Sequence, residues 1–181
     1  GGILAGLHAA MPEVRYSGFE IARDASKFWE KHKEKNITFT VGDFLQQKDA
    51  HYNMLLLLDV IEHGPNPFGF LKELSGRADY YVFHIPLDLS AMSVAREQPL
   101  LHVRKKVGHI HYFTKGLALS LLQECGFQIT DWFYTGASFS SPQISWKTKL
   151  AGIPRHLAYG INRDWGVRLL GGDTLMVLAK Y

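Results

Sequence analysis

The stretch that most constrains this chain runs from Tyr52 to His63 and reads Tyr-Asn-Met-Leu-Leu-Leu-Leu-Asp-Val-Ile-Glu-His. Met54 to Leu58 are apolar in unbroken succession. That pattern suits a strand covered on both faces, because a half-exposed strand alternates apolar with polar. Asp59, Glu62 and His63 follow at once. In an open parallel sheet, ligands bind in the crevice beyond the carboxyl ends of the strands. The run is therefore predicted to be a buried central strand that delivers carboxylates and an imidazole to a cleft.

The surrounding pattern supplies the rest of such a sheet. Gly1-Gly2 leads into Ile3, Leu4, Leu7 and Met11 at helical spacing, and Pro12 stops that helix. Val14 to Phe19 reads as a strand ending in Glu20, and Ile37 to Val41 as another finished by Gly42-Asp43. Between them Ile21, Ala25, Phe28, Trp29 and His32 form one stripe of a helical period. After the central run, Phe68, Leu71 and Leu74 predict a short helix ended by Gly76, and Asp79 to Ile85 a further strand. Thr114 is placed to cap a helix carrying Leu117, Leu121, Leu122 and Cys125, with strands at Phe127 to Tyr134 and Thr174 to Ala179. Strands alternating with helices at this pace imply right-handed crossovers and a doubly wound α/β sheet. The rhythm breaks at about 86–113 and 135–172, where connections this long carry structure or function. Within the second, Arg163 to Leu170 is predicted to be an amphipathic helix.

Composition narrows the class. The 181 residues suit one domain. A net charge of +3 is spread along the chain, and Arg104-Lys105-Lys106 lacks interleaved aromatics, so nucleic acid is not an expected partner. The longest apolar run falls far short of the ~18 residues a membrane span needs. One cysteine, Cys125, leaves no intramolecular disulfide and points to a reducing compartment, the cytoplasm. At a helix C-terminus its thiol is expected to be held up in pKa and unsuited to nucleophilic work.

Several residues suit a nucleotide-like ligand. Gly1 and Gly2 at a positive helix end let a ligand approach the backbone. Glu20, closing a strand some twenty residues later, suits ribose hydroxyls. Asp43 can accept from an exocyclic amine, and Phe44 can lie against a ring. Each also has a plainer reading: a flexible terminus, a solvated strand end, a turn aspartate, a core aromatic. His109-Ile-His111 would share one face of a strand, but no Cys-x-x-Cys and no His-Glu-x-x-His accompanies it, so no metal is expected.

The order Gly-Gly-helix, strand-Glu20, strand-Gly42-Asp43, then Leu-Asp59-Val-Ile-Glu62-His63 resembles the class I S-adenosylmethionine (SAM)-dependent methyltransferases, in particular their small-molecule, type 11/23-like branch. Gly108-His-Ile-His-Tyr-Phe-Thr114 followed by a Leu-rich helix and Cys125-Gly-Phe127 is similar to the same branch. The resemblance implies a Rossmann-like, mostly parallel sheet with an antiparallel last strand. It implies SAM as cofactor, with Gly1 or Gly2 near its methionine portion, Glu20 and the adjoining Ile21 at the ribose, Gly42, Asp43 and Phe44 at the adenine, and Asp59 and Val60 along the cofactor wall. His63 falls where the family places an imidazole near the transferring methyl, making it the candidate catalytic residue, although a general-base role does not follow from sequence. His109, His111 and Tyr112 become candidate acceptor contacts, within acceptor-binding segments at Pro86 to Thr114 and Tyr134 to Gly172. Family members carry a further strand and an Asp-x-Gly-x-Gly segment ahead of the position of Gly1, so the domain over 1–181 is expected to be N-terminally incomplete.

The expected function is methyl transfer to a small-molecule acceptor, and a homodimer is compatible with it. A nicotinamide-dependent (NAD(P)) oxidoreductase is the rival enzyme, since a glycine turn and an acid after the second strand suit that cofactor too. A non-catalytic module that holds a partner through Trp146 or Trp165 is the rival from another class.

Overall fold

Ile3, Leu4 and Leu7 recur at helical spacing, and the chain forms α1, Gly2–Ala10, closed by the Met11 amide on the Leu7 carbonyl. The computed structural model describes residues 1–29, 32, 34–48, 50–136 and 155–181, in two units, Gly1–Ala50 and His51–Tyr181. In the first unit β1 (Tyr16–Glu20) and β2 (Ile37–Val41) pair in parallel, Tyr16 beside Ile37 and Glu20 beside Val41. The buried Tyr16 hydroxyl bonds the Leu7 and Met11 carbonyls at 3.1 Å each, tying the end of α1 to β1. Trp29 stacks on Phe39 of β2 with ring centroids 5.0 Å apart.

The helix expected from Ile21 to His32 is corrected. Over Arg23–Phe28 the described chain forms a 3-10 segment instead. Ile21 and Phe28 are 72% and 64% exposed, while Trp29 is buried. Without an apolar face buried against a neighbour, a short amphipathic sequence lacks most of what stabilises an α-helix in water.

The second unit holds a sheet in the order β3-β4-β6-β5, formed by β3 (Tyr52–Leu58), β4 (Ala78–Pro86), β5 (Gln128–Tyr134) and β6 (Thr174–Lys180). β3 and β4 are parallel, and β6 runs antiparallel to both β4 and β5, as the expected doubly wound sheet with an antiparallel last strand requires. Helices α2 (Pro67–Leu74) and α5 (Lys115–Glu124) follow, capped by the side chains of Asn66 and Thr114. The core centres on β4: Tyr81, Phe83 and Ile85 are fully buried, with Leu175 and Val177 of β6 and Leu71 of α2. Phe127 meets Tyr81 and Phe83 edge-on at 4.9 and 5.3 Å.

Two expectations change here. β3 is an edge strand of this sheet rather than a central one, and Met54 and Leu56 are 49% and 37% exposed. Its apolar run indicates strand correctly, but among the described residues only β4 pairs with it. The stretch at 86–113 contains two helices that periodicity did not reveal, α3 (Ala91–Arg96) and α4 (Gln98–Lys106). A reciprocal cap starts α3, with Ser90 Oγ accepting from the Ser93 amide and Ser93 Oγ from the Ser90 amide. That is a capping box with serine in place of the usual Glu or Gln.

The predicted amphipathic helix is present as α6 (Arg163–Leu170), with Val167 buried and Trp165 exposed. Asp164 on its first turn receives both the Lys115 ammonium and the Tyr134 hydroxyl. The Lys115 hydrogen bond, then that of Tyr134, holds the Asp164 carboxyl below its ordinary range, while burial and then the Asp164 carboxylate push the Tyr134 phenol upward. Cys125 is buried, and burial raises its thiol, so the expected direction stands on desolvation rather than on the helix dipole. Trp146 and the other residues of 137–154 lie outside the described residues. No described helix is long and apolar enough to cross a membrane.

Candidate active site

In the first unit the expected ribose and adenine residues come together at the carboxyl ends of β1 and β2. The Gly42 amide donates to the Glu20 carbonyl at 2.9 Å, joining the two strand ends. Glu20 is exposed, and its carboxylate accepts from the Ala22 amide at 3.0 Å. Asp43 Oδ1 caps the 3-10 turn Phe44–Gln46 through the Leu45 amide, the plainer role foreseen for it, while Phe44 meets Phe19 edge-on at 5.2 Å. Ile21 adjoins them and is solvent-facing. At the start of α1 the two glycines differ. A Cβ on Gly1 would stand 2.9 Å from His32 Cδ2, whereas one on Gly2 would meet nothing within 4 Å.

In the second unit the chemistry gathers just beyond β3 and β4. Asp59 has φ +52, a left-handed conformation that aspartate tolerates better than most residues, and its amide donates to the His84 carbonyl at 3.1 Å. Its Oδ1 lies 2.7 Å from His84 Nδ1, and His84 Nε2 lies 2.9 Å from Thr174 Oγ1. Val60 beside it is 38% exposed. The Asp59 hydrogen bond, outweighing burial and helped by the Asp59 and Glu62 charges, raises the His84 pKa. A raised folded pKa contributes stability that is whole below the unfolded value of about 6.5 and is lost as pH rises through the folded value. Asp59→Asn is therefore expected to cost more stability at acidic than at alkaline pH. Urea midpoints of both proteins across that window check it.

Glu62, His63 and the 108–111 loop form one locked corner. The Glu62 carbonyl accepts from the Ile110 and His111 amides at 2.9 and 3.1 Å. His63 Nδ1 lies 3.2 Å from the Gly108 carbonyl and His111 Nε2 2.9 Å from the Gly64 carbonyl. Carbonyls only accept, so His63 carries its proton on Nδ1. His109 Nδ1 lies 2.6 Å from Asp88 Oδ2. The shared strand face expected for His109 and His111 is corrected, because residues 108–114 are irregular: their amides bond a turn instead of a neighbouring strand. Tyr112 is tied to the Leu100 carbonyl at 3.1 Å. Gly108 has φ +84, which an L-residue adopts at a cost. Gly108→Ala is expected to lose about 1 kcal/mol, a fall of roughly 2–4 °C in a thermal melt.

Three participants were not legible in the sequence, and a fourth, Glu62, expected among the charges delivered to the cleft, is fully buried. His84 and Asp88 orient other site residues, and a strand histidine or loop aspartate carries no local signal of that. Arg155 belongs to the wall of a cavity of about 210 Å³, which Asp88, Met92, Arg96, Leu100 and Gly172 also line. Residues 88–103 and 155–172 supply that wall, from both long connections.

No family model matches the sequence, and no curated protein is significantly similar to it. Solved structures do match in three dimensions. A candidate methyltransferase of Bacillus halodurans aligns over 99% of this chain and 88% of its own, with a TM-score of 0.63 at 17% identity. A SAM-dependent methyltransferase of Archaeoglobus fulgidus aligns over 99% and 94%, with a TM-score of 0.57 at 16% identity. The chain has the methyltransferase fold. LepI, solved in complex with SAM, shares that fold over 98% of this chain and 39% of its own, with a TM-score of 0.61 at 10% identity. At these identities the methyltransferase fold is common ground and the chemistry must be argued from the site.

Proposed function

We propose that this protein is a SAM-dependent methyltransferase acting on a small-molecule acceptor. The observation that carries the reading is the placement of Glu20 and Asp43 at or just past the carboxyl ends of the paired parallel strands β1 and β2, in a chain with the methyltransferase fold. The residues suit the cofactor. Glu20 is exposed and acceptor-only for ribose hydroxyls, Asp43 has a second carboxylate oxygen beyond the one that caps, and Gly2 leaves the start of α1 open to approach. Gly1, Ile21, Gly42 and Phe44 are further proposed cofactor contacts, and Asp59 and Val60 are proposed as such on the resemblance of their own segment.

The bound sulfonium supplies an already electrophilic methyl group. What the chain contributes is alignment of the acceptor nucleophile and exclusion of water. The acceptor is proposed to enter the cavity walled by Arg96 and Arg155, whose two guanidinium groups against the single Asp88 carboxylate favour an acceptor bearing an anionic group. His63 and His109 stand at the proposed reacting side, while His111 and Tyr112, both hydrogen-bonded to backbone, shape its wall.

Calorimetric titration with S-adenosylhomocysteine and, separately, with NADH tests the reading. Heat with the first is expected, followed by transfer of labelled methyl from SAM to a panel of acidic small molecules. Heat with NADH alone would overturn it in favour of a dehydrogenase.

A further inference from the structure

We propose that Glu62, His63 and His109 bind a divalent first-row transition-metal ion. One ligand atom from each lies within 4.8 Å of the other two. Glu62 is completely buried, yet neither carboxylate oxygen has a hydrogen-bond partner among the described residues. Such a group is costly to bury unless something compensates it. The two imidazoles face the same oxygen, with His63 Nε2 at 3.9 Å and His109 Nε2 at 3.8 Å from Glu62 Oε1. Their rings meet at 81° with centroids 5.0 Å apart.

Those distances are informative because they are not those of a direct ion pair. A charge-assisted N–H···O contact closes to about 2.8 Å, and in this same loop His109 Nδ1 and Asp88 reach 2.6 Å. Ligand atoms that share a metal at about 2.1 Å in tetrahedral array stand about 3.4 Å apart, so each imidazole nitrogen has only about half an ångström to close toward Glu62 for the pair to share an ion.

The tautomers point the same way. His63 commits Nδ1–H to the Gly108 carbonyl, and His109 commits Nδ1 to the Asp88 carboxylate. Each therefore turns the Nε2 lone pair of its neutral form toward Glu62. A ligating histidine whose other nitrogen is held by a carbonyl or carboxylate is the usual outer support of a metal site. The Ile110 and His111 amides on the Glu62 carbonyl fix the loop to the turn, so the geometry is built in before any ion arrives.

Two imidazoles and one carboxylate suit Zn²⁺, Fe²⁺, Mn²⁺ or Co²⁺ better than Mg²⁺ or Ca²⁺, which take oxygen ligands. Three protein ligands leave at least one coordination position open, and His63, with 39% of its side chain exposed, lies on the solvent side of the trio. Asp88 also lines the cavity, so the proposed ion adjoins that space through His109. The assignment does not rest on methyl transfer. It assigns to His63 and His109 the work of ligands in place of direct contact with an acceptor.

The test is Co²⁺ titration of chelator-treated full-length protein, followed by visible d–d absorption. One equivalent per chain is expected, undisturbed by a large excess of Mg²⁺. His63→Ala, His109→Ala and Glu62→Gln are each expected to weaken uptake by about a hundredfold or more. Asp88→Asn, which removes a positioning residue and no ligand, is expected to weaken it by about 10–100-fold. Circular dichroism of the metal-free variants reports folding. His63 and Asp88 are not core residues, so their variants keep the test meaningful if Glu62→Gln fails to fold. No stoichiometric uptake by the wild type, or uptake unchanged in His63→Ala and His109→Ala, overturns the assignment. S-adenosylhomocysteine binding is measured on the same samples, so failure of the metal site and failure of the methyltransferase reading remain separate results.

Discussion

Asp173→Asn is expected to lower the unfolding free energy by about 3 kcal/mol, seen as a lower urea midpoint at unchanged slope and a melting temperature lower by roughly 6–12 °C. Asp173 is 2% exposed and uses both oxygens. Oδ2 accepts from Arg163 Nε at 3.0 Å and Nη2 at 2.8 Å, and Oδ1 accepts from the Gly136 and Thr174 amides, each at 2.9 Å. Asparagine has the same shape but one acceptor. Whichever way its amide turns, an NH₂ group faces either a guanidinium or two N–H groups, so donors are set against donors. Arg163 has 39% side-chain exposure and recovers some hydration, which keeps the cost below that of stranding a fully buried charge. Arg163→Ala is the milder comparison, because Asp173 keeps its two amide donors. The loss also reaches the site: Gly171 and Gly172, immediately before Asp173, wall the cavity.

Most element types in this chain were legible because they follow from local pattern. Met54 to Leu58 reads as a strand because so short an apolar run falls below the usual length of a helix. Thr114 before a leucine-rich segment and Arg163 to Leu170 were read as helices on capping and periodicity, and both occur. What failed depends on neighbours. The Ile21 to His32 stripe has helical spacing, yet spacing does not say whether a surface exists to bury it. The apolar run of β3 does not say how many strands flank it.

The candidate site was legible in its strand-end positions for the same reason. Strand-end acids are visible because strand ends are visible, so Glu20, Asp43 and Asp59 could be named from position alone. Glu62 and His109 are joined across 46 intervening residues by an irregular loop, and no spacing rule covers that distance. The available signal was chemical: Gly108 precedes a His-Ile-His and offers the only residue type at ease with its φ of +84. A histidine-bearing loop that also needs a glycine is a loop being held in one conformation. His63 was singled out as a lone imidazole, and its partners explain more about it than its own position does. With Nδ1 committed to a carbonyl and Nε2 facing a buried carboxylate, its surroundings fix its direction as well as its place.

Glu20→Ala is expected to weaken S-adenosylhomocysteine binding by about 10–100-fold while leaving stability within about 1 kcal/mol of wild type. The two halves of that expectation have separate causes. The bond assigned to the Glu20 side chain in this structure is from the Ala22 amide, at an exposed position where water replaces it on deletion, so little folding energy is at stake. A carboxylate accepting from vicinal ribose hydroxyls forms charge-assisted bonds worth roughly 1.5–3 kcal/mol, and nothing in alanine replaces them. Glu20→Gln separates charge from geometry. It keeps one acceptor and is expected to fall between wild type and alanine, because a hydroxyl can still donate to the amide oxygen. Calorimetry and a urea melt on the same preparations decide it. Equal affinity in wild type and Glu20→Ala would make Glu20 a solvated strand end and move the ribose site elsewhere.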